Sequence, residues 1–258
     1  MSLVSPASVN ILGIKIDNLT VEALLKNLDS KGGLIVTPNV DHLMKLRSDQ
    51  AFKQAYLQAD YRICDSQLIQ FASYFLGTPI RAKISGSNFF PTFYQYHAHT
   101  PKIKIFLLGA KPGVAALAQQ KINAKVGRNI IVDNYSPPFG FETDEIECQN
   151  IIDLINQSGA TVLAVGLGSP KQEKWLASYQ DKLTAVKICM AIGSTIDFEA
   201  GHIRRSPQWL SEIGLEWLFR LCLEPKRLWR RYLLEDIPFF GLVLQQKLRQ
   251  GGLWKQWG

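Results

Sequence analysis

The segment Val162-Leu163-Ala164-Val165-Gly166-Leu167-Gly168-Ser169-Pro170-Lys171-Gln172-Glu173 passes from an unbroken apolar run through a glycine turn into polar, helix-forming text. Aliphatic residues with no polar interruption read as a strand covered on both faces. Two glycines end the run, and Pro170 suits the first turn of a helix, where a missing N–H costs nothing. That helix is expected over 170–179. A strand handed directly to a helix is half of a βα unit, and the pattern repeats on both sides. Short β-branched or aliphatic runs at 34–37, 61–64, 104–108, 130–133 and 188–192 alternate with longer amphipathic segments. This alternation predicts an α/β fold with a mostly parallel sheet flanked by helices. An earlier run over 9–16 reads as a hairpin-like edge.

Helix punctuation supports that order. Thr20 is an N-cap candidate for a helix that buries Ala23, Leu24 and Leu28. Ser48-Asp49 opens a helix over 50–58, Pro112 one reaching Val126, and Thr143 one reaching Asn156, with Gly127 and Gly159 as stops. From about Ser206 onward no strand signal remains. The text turns helical and rich in arginine and aromatics, with Trp209, Trp217, Trp229, Trp254 and Trp257 all in this tail. The expected organisation is an α/β body over 1–205 and a helical appendage over 206–258.

With 258 residues, 47% hydrophobic and 20% charged, the chain is long and apolar enough for a packed core. A net charge of +7 and a pI near 9.2 point to an anionic partner, or to a basic surface kept for solubility. Cys64, Cys148, Cys189 and Cys222 show no paired short spacing, so neither a disulfide framework nor a Cys-x-x-Cys metal site is suggested. A reducing, cytoplasmic compartment is expected. Residues 1–10 lack the charged start and apolar core of a secretory signal. No run approaches the roughly 20 apolar residues of a spanning helix, so contact with a membrane is expected to be peripheral. His97 and His99 are two apart and cannot share a helix face, and His42 and His202 lack partners at ligand spacing. No metal centre is expected.

In an open parallel sheet, ligands bind beyond the carboxyl ends of the strands. Thr37, Asn39, Asp65, Gly109, Gly166, Gly168, Gly193 and Ser194 all follow predicted strands. At 166–170 the glycines allow close backbone approach to a ligand, and the helix beginning at Pro170 presents unpaired donors to an anion. Lys171 and Gln172 would project nearby. The alternative is a tight turn with glycines for geometry alone. Gly109-Ala110-Lys111-Pro112-Gly113 lacks the third glycine of a dinucleotide fingerprint and the Gly-Lys-Ser/Thr of a phosphate loop. Asp65 can serve as general base toward a substrate hydroxyl, or as N-cap of a helix over 66–76.

Arg204 and Arg205 open the appendage, and Arg220 precedes the helix break at Pro225. Arg227, Arg230 and Arg231 are spaced i, i+3, i+4 and are expected on one side, with Leu228, Tyr232 and Leu233 leaning away. Planar guanidinium forks suit a diphosphate; a solvated basic face paired to Glu224 and Glu235 is the plainer alternative. Farther on, Phe239, Phe240, Leu242, Val243 and Leu244 stand beside Lys247, Arg249 and Lys255. That composition fits an interfacial helix, or equally a core or oligomer contact.

Taken in order, these motifs resemble the WecG/TagA/CpsF glycosyltransferases of bacterial cell-surface polysaccharide and wall teichoic acid synthesis. The resemblance runs from about Asn10 to Tyr232. It is carried by Val165 to Trp175, by Gly193-Ser-Thr-Ile-Asp-Phe-Glu-Ala-Gly201, and by Arg205-Ser-Pro-Gln-Trp209. Gly214-Leu-Glu-Trp217, Arg220, Glu224-Pro225 and Arg230-Arg231-Tyr232 continue it. It implies a Rossmann-like fold and an inverting, metal-independent transferase. Such an enzyme moves a sugar from a UDP-sugar to a polyprenyl-diphosphate-linked sugar at the inner membrane face. By motif, Thr37 and Asn39 fall on the Thr-x-Asn after an early strand, Asp65 on the proposed base, and Gln172 on the glutamine near the nucleotide. The late arginines fall on an appendage that closes over the site and touches the membrane. Self-association is also implied. The family's Asp-Gly is here Asp65-Ser66, and its Glu-Arg-Val-x-Gly-x-Asp is Ala82-Lys83-Ile84-Ser85-Gly86-Ser87-Asn88, so Lys83 replaces a diphosphate-binding fork with a point charge.

Two other readings fit parts of the sequence. A nucleotide-sugar epimerase or dehydrogenase would bind NAD, against which the missing glycine fingerprint counts. A non-catalytic basic protein would bind anionic lipid or nucleic acid. Nucleic acid calls for stacking aromatics interleaved with the basic residues, whereas the tryptophans here recur in helical text, so no nucleic-acid partner is expected.

Overall fold

The computed structural model describes residues 7–250; Trp254, Lys255 and Trp257 lie outside them. An antiparallel hairpin comes first, β1 (Ser8–Ile11) and β2 (Ile14–Asp17). It is followed by α1 (Val21–Lys31), β3 (Gly33–Val36), α2 (Val40–Lys45), α3 (Gln50–Gln58), β4 (Tyr61–Arg62), α4 (Gln67–Phe75) and α5 (Gly86–Tyr96). The second half of the sheet carries β5 (Ile105–Gly109), α6 (Val114–Val126), β6 (Ile131–Tyr135), α7 (Glu145–Gln157), β7 (Val162–Gly166), α8 (Lys171–Tyr179) and β8 (Ile188–Ala191). Among the described residues only helices follow: α9 (Thr195–Ala200), α10 (Gln208–Glu212), α11 (Glu216–Leu223), α12 (Pro225–Arg230) and α13 (Pro238–Gln250), with a π turn over Arg231–Glu235 between the last two.

Six strands form one parallel sheet in the order β4-β3-β8-β7-β5-β6. The fold is α/β and Rossmann-like. β3 leads outward to β4 at one edge and β5 to β6 at the other, and β7 and β8 then fill the centre. Both faces are covered. Leu163 and Val165 of β7 join one core layer, with α7 and α8, while Val162 and Ala164 join the other, with α1, α5 and α6. All four are fully buried, so the period-two alternation is hidden in an all-apolar run.

Local signals place most elements. Thr20, Asn39, Asp49, Ser66, Ser85 and Asp144 each cap a helix through a side-chain oxygen. Gly127 closes α6 in the left-handed region at φ 77°. Pro225 breaks the late helix as expected and becomes the first residue of α12. Two of the late arginines meet different surroundings. Leu228 is buried and shares a cavity with Arg231, while Arg230 is exposed. Arg230 and Arg231 both keep right-handed helical dihedrals, and the widened turn re-aims the residues that follow Arg231. The last helix is two-sided: Phe239 and Val243 enter the core, and Phe240 and Leu244 face outward. Gln246 pins it to the hairpin, its Oε1 accepting from the Leu12 amide at 2.8 Å and its Nε2 donating to the Asn10 carbonyl at 2.9 Å.

Candidate active site

A cavity of about 500 Å3 opens beyond the carboxyl ends of β3, β4, β7 and β8, roofed by α11, α12 and the π turn. Of the residues singled out from the sequence, Thr37, Asn39, Asp65, Gly166, Gly168, Gln172, Gly193, Ser194, Arg220 and Arg231 line it. Six separate stretches of the sequence thus meet in one place.

Asp65 follows β4, and its amide donates to the Pro38 carbonyl at 3.0 Å, which ties it to the end of β3. The cap of α4 is Ser66, whose hydroxyl accepts from the Ile69 amide, so the Asp65 carboxyl is left to the cavity. It is enclosed by protein but reachable from the cavity, and burial raises its pKa to about 8. The Glu216 carboxylate pushes the same way, while Arg220, Lys83 and Arg231 oppose it. A carboxyl so placed is a stronger base than one in water.

The glycine loops hold two uncapped helices against the cavity. Neither Pro170, at the start of α8, nor Ser194, at the start of α9, supplies a side-chain cap. Part of each first turn is nevertheless held by the fold, since the Gln172 amide donates to the Gly168 carbonyl at 3.0 Å and the Thr195 amide to the Ile192 carbonyl at 3.2 Å, so only the remaining amides are open to a ligand. Close packing explains the glycines. A Cβ on Gly166 would lie 2.7 Å from the Gly193 carbonyl oxygen and 2.8 Å from Ile196 Cδ1. One on Gly109 would collide with the Gly166 carbonyl, so Gly109 belongs to the packing of β5 on β7 and not to the cavity lining.

Gln172 is buried and acts within the protein. Its Oε1 accepts from the Gly193 amide at 3.1 Å, and its Nε2 donates to Glu173 Oε1 at 2.8 Å. It therefore fixes the β8 loop. Asn39 spends its Oδ1 on the His42 amide as the cap of α2. Arg220 reaches across to the Ser194 hydroxyl at 3.0 Å, docking α11 on the β8 loop.

Other candidates point elsewhere. Lys171 pairs with Glu142 at 2.7 Å and lies over the Phe139 and Phe141 rings. Arg205 pairs with Glu199 at 2.7 Å and donates to the Ser87 carbonyl at 2.9 Å. That carbonyl is one helical turn before Pro91 of α5, which has no N–H to give it, so Arg205 fills the acceptor the proline vacates. Lys83 is bound to Ser211, and Pro170, Arg204 and Arg230 are outside the lining. The Arg227 side chain is outside the described residues.

Sequence reasoning missed Asp41, His42, Lys45, Asp197, Glu216 and Glu235 in the lining. Asp41, almost fully buried, pairs with Lys45 at 2.9 Å and with Arg231 at 3.6 Å. His42 Nδ1 meets the Tyr56 hydroxyl at 2.5 Å, and burial lowers its pKa to about 3, so it stays neutral. The sequence did carry a signal for these residues: Asn39 caps a helix directly after β3, so its next residues begin at a strand's carboxyl end. Among the described residues no three His, Cys, Asp or Glu side chains converge as a metal site.

The chain is 27% identical over 241 residues, 91% of each chain, to an N-acetylglucosaminyldiphosphoundecaprenol N-acetyl-beta-D-mannosaminyltransferase of Staphylococcus aureus (strain MRSA252). The proteins of the same name from strains NCTC 8325 / PS 47 and COL match at the same identity and coverage. The model of the glycosyl transferase WecG/TagA/CpsF family matches residues 9–252, and the chain belongs to that family of hexosyltransferases.

Proposed function

We propose that the protein transfers N-acetylmannosamine, or a closely related hexose, from its UDP derivative to a sugar carried on a polyprenyl diphosphate. The acceptor class is the one the relatives' names print. The observation that carries the reading is Asp65: a carboxyl with pKa raised to about 8 faces a cavity edged by Arg220, Ser194 and two helix starts.

In this reading Asp65 takes the proton of the acceptor hydroxyl as its oxygen bonds to the anomeric carbon. The bond from that carbon to the β-phosphate oxygen breaks, UDP leaves with the electron pair, and configuration inverts. Negative charge grows on the departing diphosphate, and fixed donors aimed at that charge lower the barrier. Arg220 and those first-turn amides of α8 and α9 that no carbonyl of the fold holds are those donors, with Arg231 available once it turns from Asp41. This is the role a metal ion fills in other transferases, so turnover should persist in EDTA. The lipid carrier and the outward-facing Leu234, Ile237, Phe240 and Leu244 support a peripheral position on the inner, anionic membrane surface. No described helix is long and apolar enough to cross it. The same apolar face supports self-association when no membrane is present.

The test is UDP release with UDP-N-acetylmannosamine and a polyprenyl-diphosphate N-acetylglucosamine acceptor. Asp65→Asn should lose about 10²–10⁴ of turnover. Wild-type turnover in that variant removes Asp65 from the role, and no release with this or related UDP-hexoses removes the donor assignment.

A further inference from the structure

The segment between α4 and α5 is joined to the late helices by a short chain of polar contacts. Lys83 Nζ donates to the Ser211 carbonyl at 3.0 Å and to its hydroxyl at 2.8 Å. The Ser211 hydroxyl in turn donates to Glu216 Oε2 at 2.9 Å. Lys83 belongs to the body, Ser211 to α10, and Glu216 is the first residue of α11. Glu216 then lines the cavity that holds Asp65. The same lining holds Asp41, Asp197 and Glu235, and among these carboxyl side chains Glu216 is the one tied to the α4–α5 segment through Ser211 and Lys83.

We propose that Glu216, carried in by the docked late helices and held by Ser211 and Lys83, is a positioning residue that makes the general-base competence of Asp65 conditional on docking. The inference rests on reading Asp65 as the base. Like charges sharing a site disfavour ionisation of one of them. Glu216 is the largest charge acting on Asp65 in the raising direction, against Arg220 of α11, Lys83 of the α4–α5 segment and Arg231 of the π turn. Tyr56 and Cys64 also lie near it, and burial keeps both protonated; Asp41, His42 and Lys45 of α2, Asp197 of α9 and Glu235 of the π turn share the cavity lining. With the late helices away, the chain of contacts from Lys83 is broken and Glu216 leaves the cavity. Asp65 is then solvated and becomes a weak base, so donor hydrolysis before closure is suppressed.

Carbon-13 NMR of the full-length protein labelled in its aspartate carboxyls, without substrate, reads the Asp65 midpoint directly. Glu216→Gln keeps an acceptor for Ser211 and removes only the charge. Its midpoint should fall by about one pH unit or more, and the acid limb of kcat/KM should move down with it, with KM for the UDP-sugar unchanged. The rate at high pH should drop below wild type, so that the two pH profiles cross; a residue with a merely structural role leaves the limb in place. Ser211→Ala, which alters no charge, should shift the midpoint in the same direction by less. An unchanged midpoint in a folded Glu216→Gln protein overturns the proposal; should that variant not fold, an unchanged midpoint in Ser211→Ala overturns it. A lowered midpoint together with full turnover in Asp65→Asn supports the coupling and defeats the assignment of Asp65 as base.

Discussion

At the scale of single residues, the site runs on carboxyl groups displaced from water. Asp65 has a pKa of about 8 against an ordinary 3.8, so it is about one-tenth ionised at pH 7. If its ionised form is the base, kcat/KM rises with pH through about 8 and levels above about 9, a limb that the residual activity of Asp65→Asn lacks. Glu173, beneath the glycine loop, is raised by burial from 4.5 to about 7. Because its folded-state value is the higher one, the folded protein holds the proton more tightly. Its contribution to stability is full below about pH 4.5 and is lost as pH rises through 7. Glu173→Gln keeps an acceptor for Gln172 and has no proton to lose. Its stability relative to wild type should rise from pH 5 to pH 8, by on the order of 3 kcal/mol at most, read from thermal melts at the two pH values. Glu173→Ala instead frees Gln172, loosens Gly193 and should raise KM for the donor roughly tenfold.

At the scale of elements, the β7 and β8 loops touch because Gly166 has no side chain. In Gly166→Ala the new methyl would meet the Gly193 carbonyl and Ile196, both backed by packed structure. Overpacking there should cost about 1–3 kcal/mol, a fall in Tm of roughly 2–12 °C for a chain of this size, with weaker UDP binding by tryptophan fluorescence. Gly168, with open space around it but φ at +80°, should cost only about 1 kcal/mol as alanine. These loops, the sheet and helices α1, α3, α4 and α7 were legible in the sequence because each is specified locally, by an apolar run ending in glycine or by a Ser, Thr or Asp before a helix. Helices α2 and α5 were not, since one is short and the other carries Pro91 in its interior. The Arg205 bond that compensates Pro91 spans residues far apart in sequence, and no local pattern announces it. Of the late arginines, Arg220 and Arg231 reach the cavity lining, and the pairing of Arg231 with Asp41, far away in sequence, likewise follows no local pattern.

At the scale of the whole molecule, the late helices have to satisfy the cavity on one side and something else on the other. Leu233, Leu234, Ile237, Phe240 and Leu244 are each about half exposed or more, the last two on a helix whose opposite face, Phe239 and Val243, is in the core. Water is a poor partner for that surface, while a bilayer interface is a good one: burying the exposed half of each large side chain there is worth about 1 kcal/mol. Exposed Lys226 and Arg230 lie on the same stretch, and basic residues near anionic headgroups add about 1 kcal/mol each at moderate salt. Flotation with vesicles should therefore show binding to phosphatidylglycerol and little to phosphatidylcholine, with the difference shrinking as salt rises. Leu234→Ser with Phe240→Ser should weaken vesicle binding by tenfold or more while leaving turnover on a short-chain, water-soluble acceptor within about twofold. If the double variant binds vesicles like wild type, this face is not what meets the membrane. If it instead loses turnover on the soluble acceptor, the exposed residues are holding the late helices in place over Asp65.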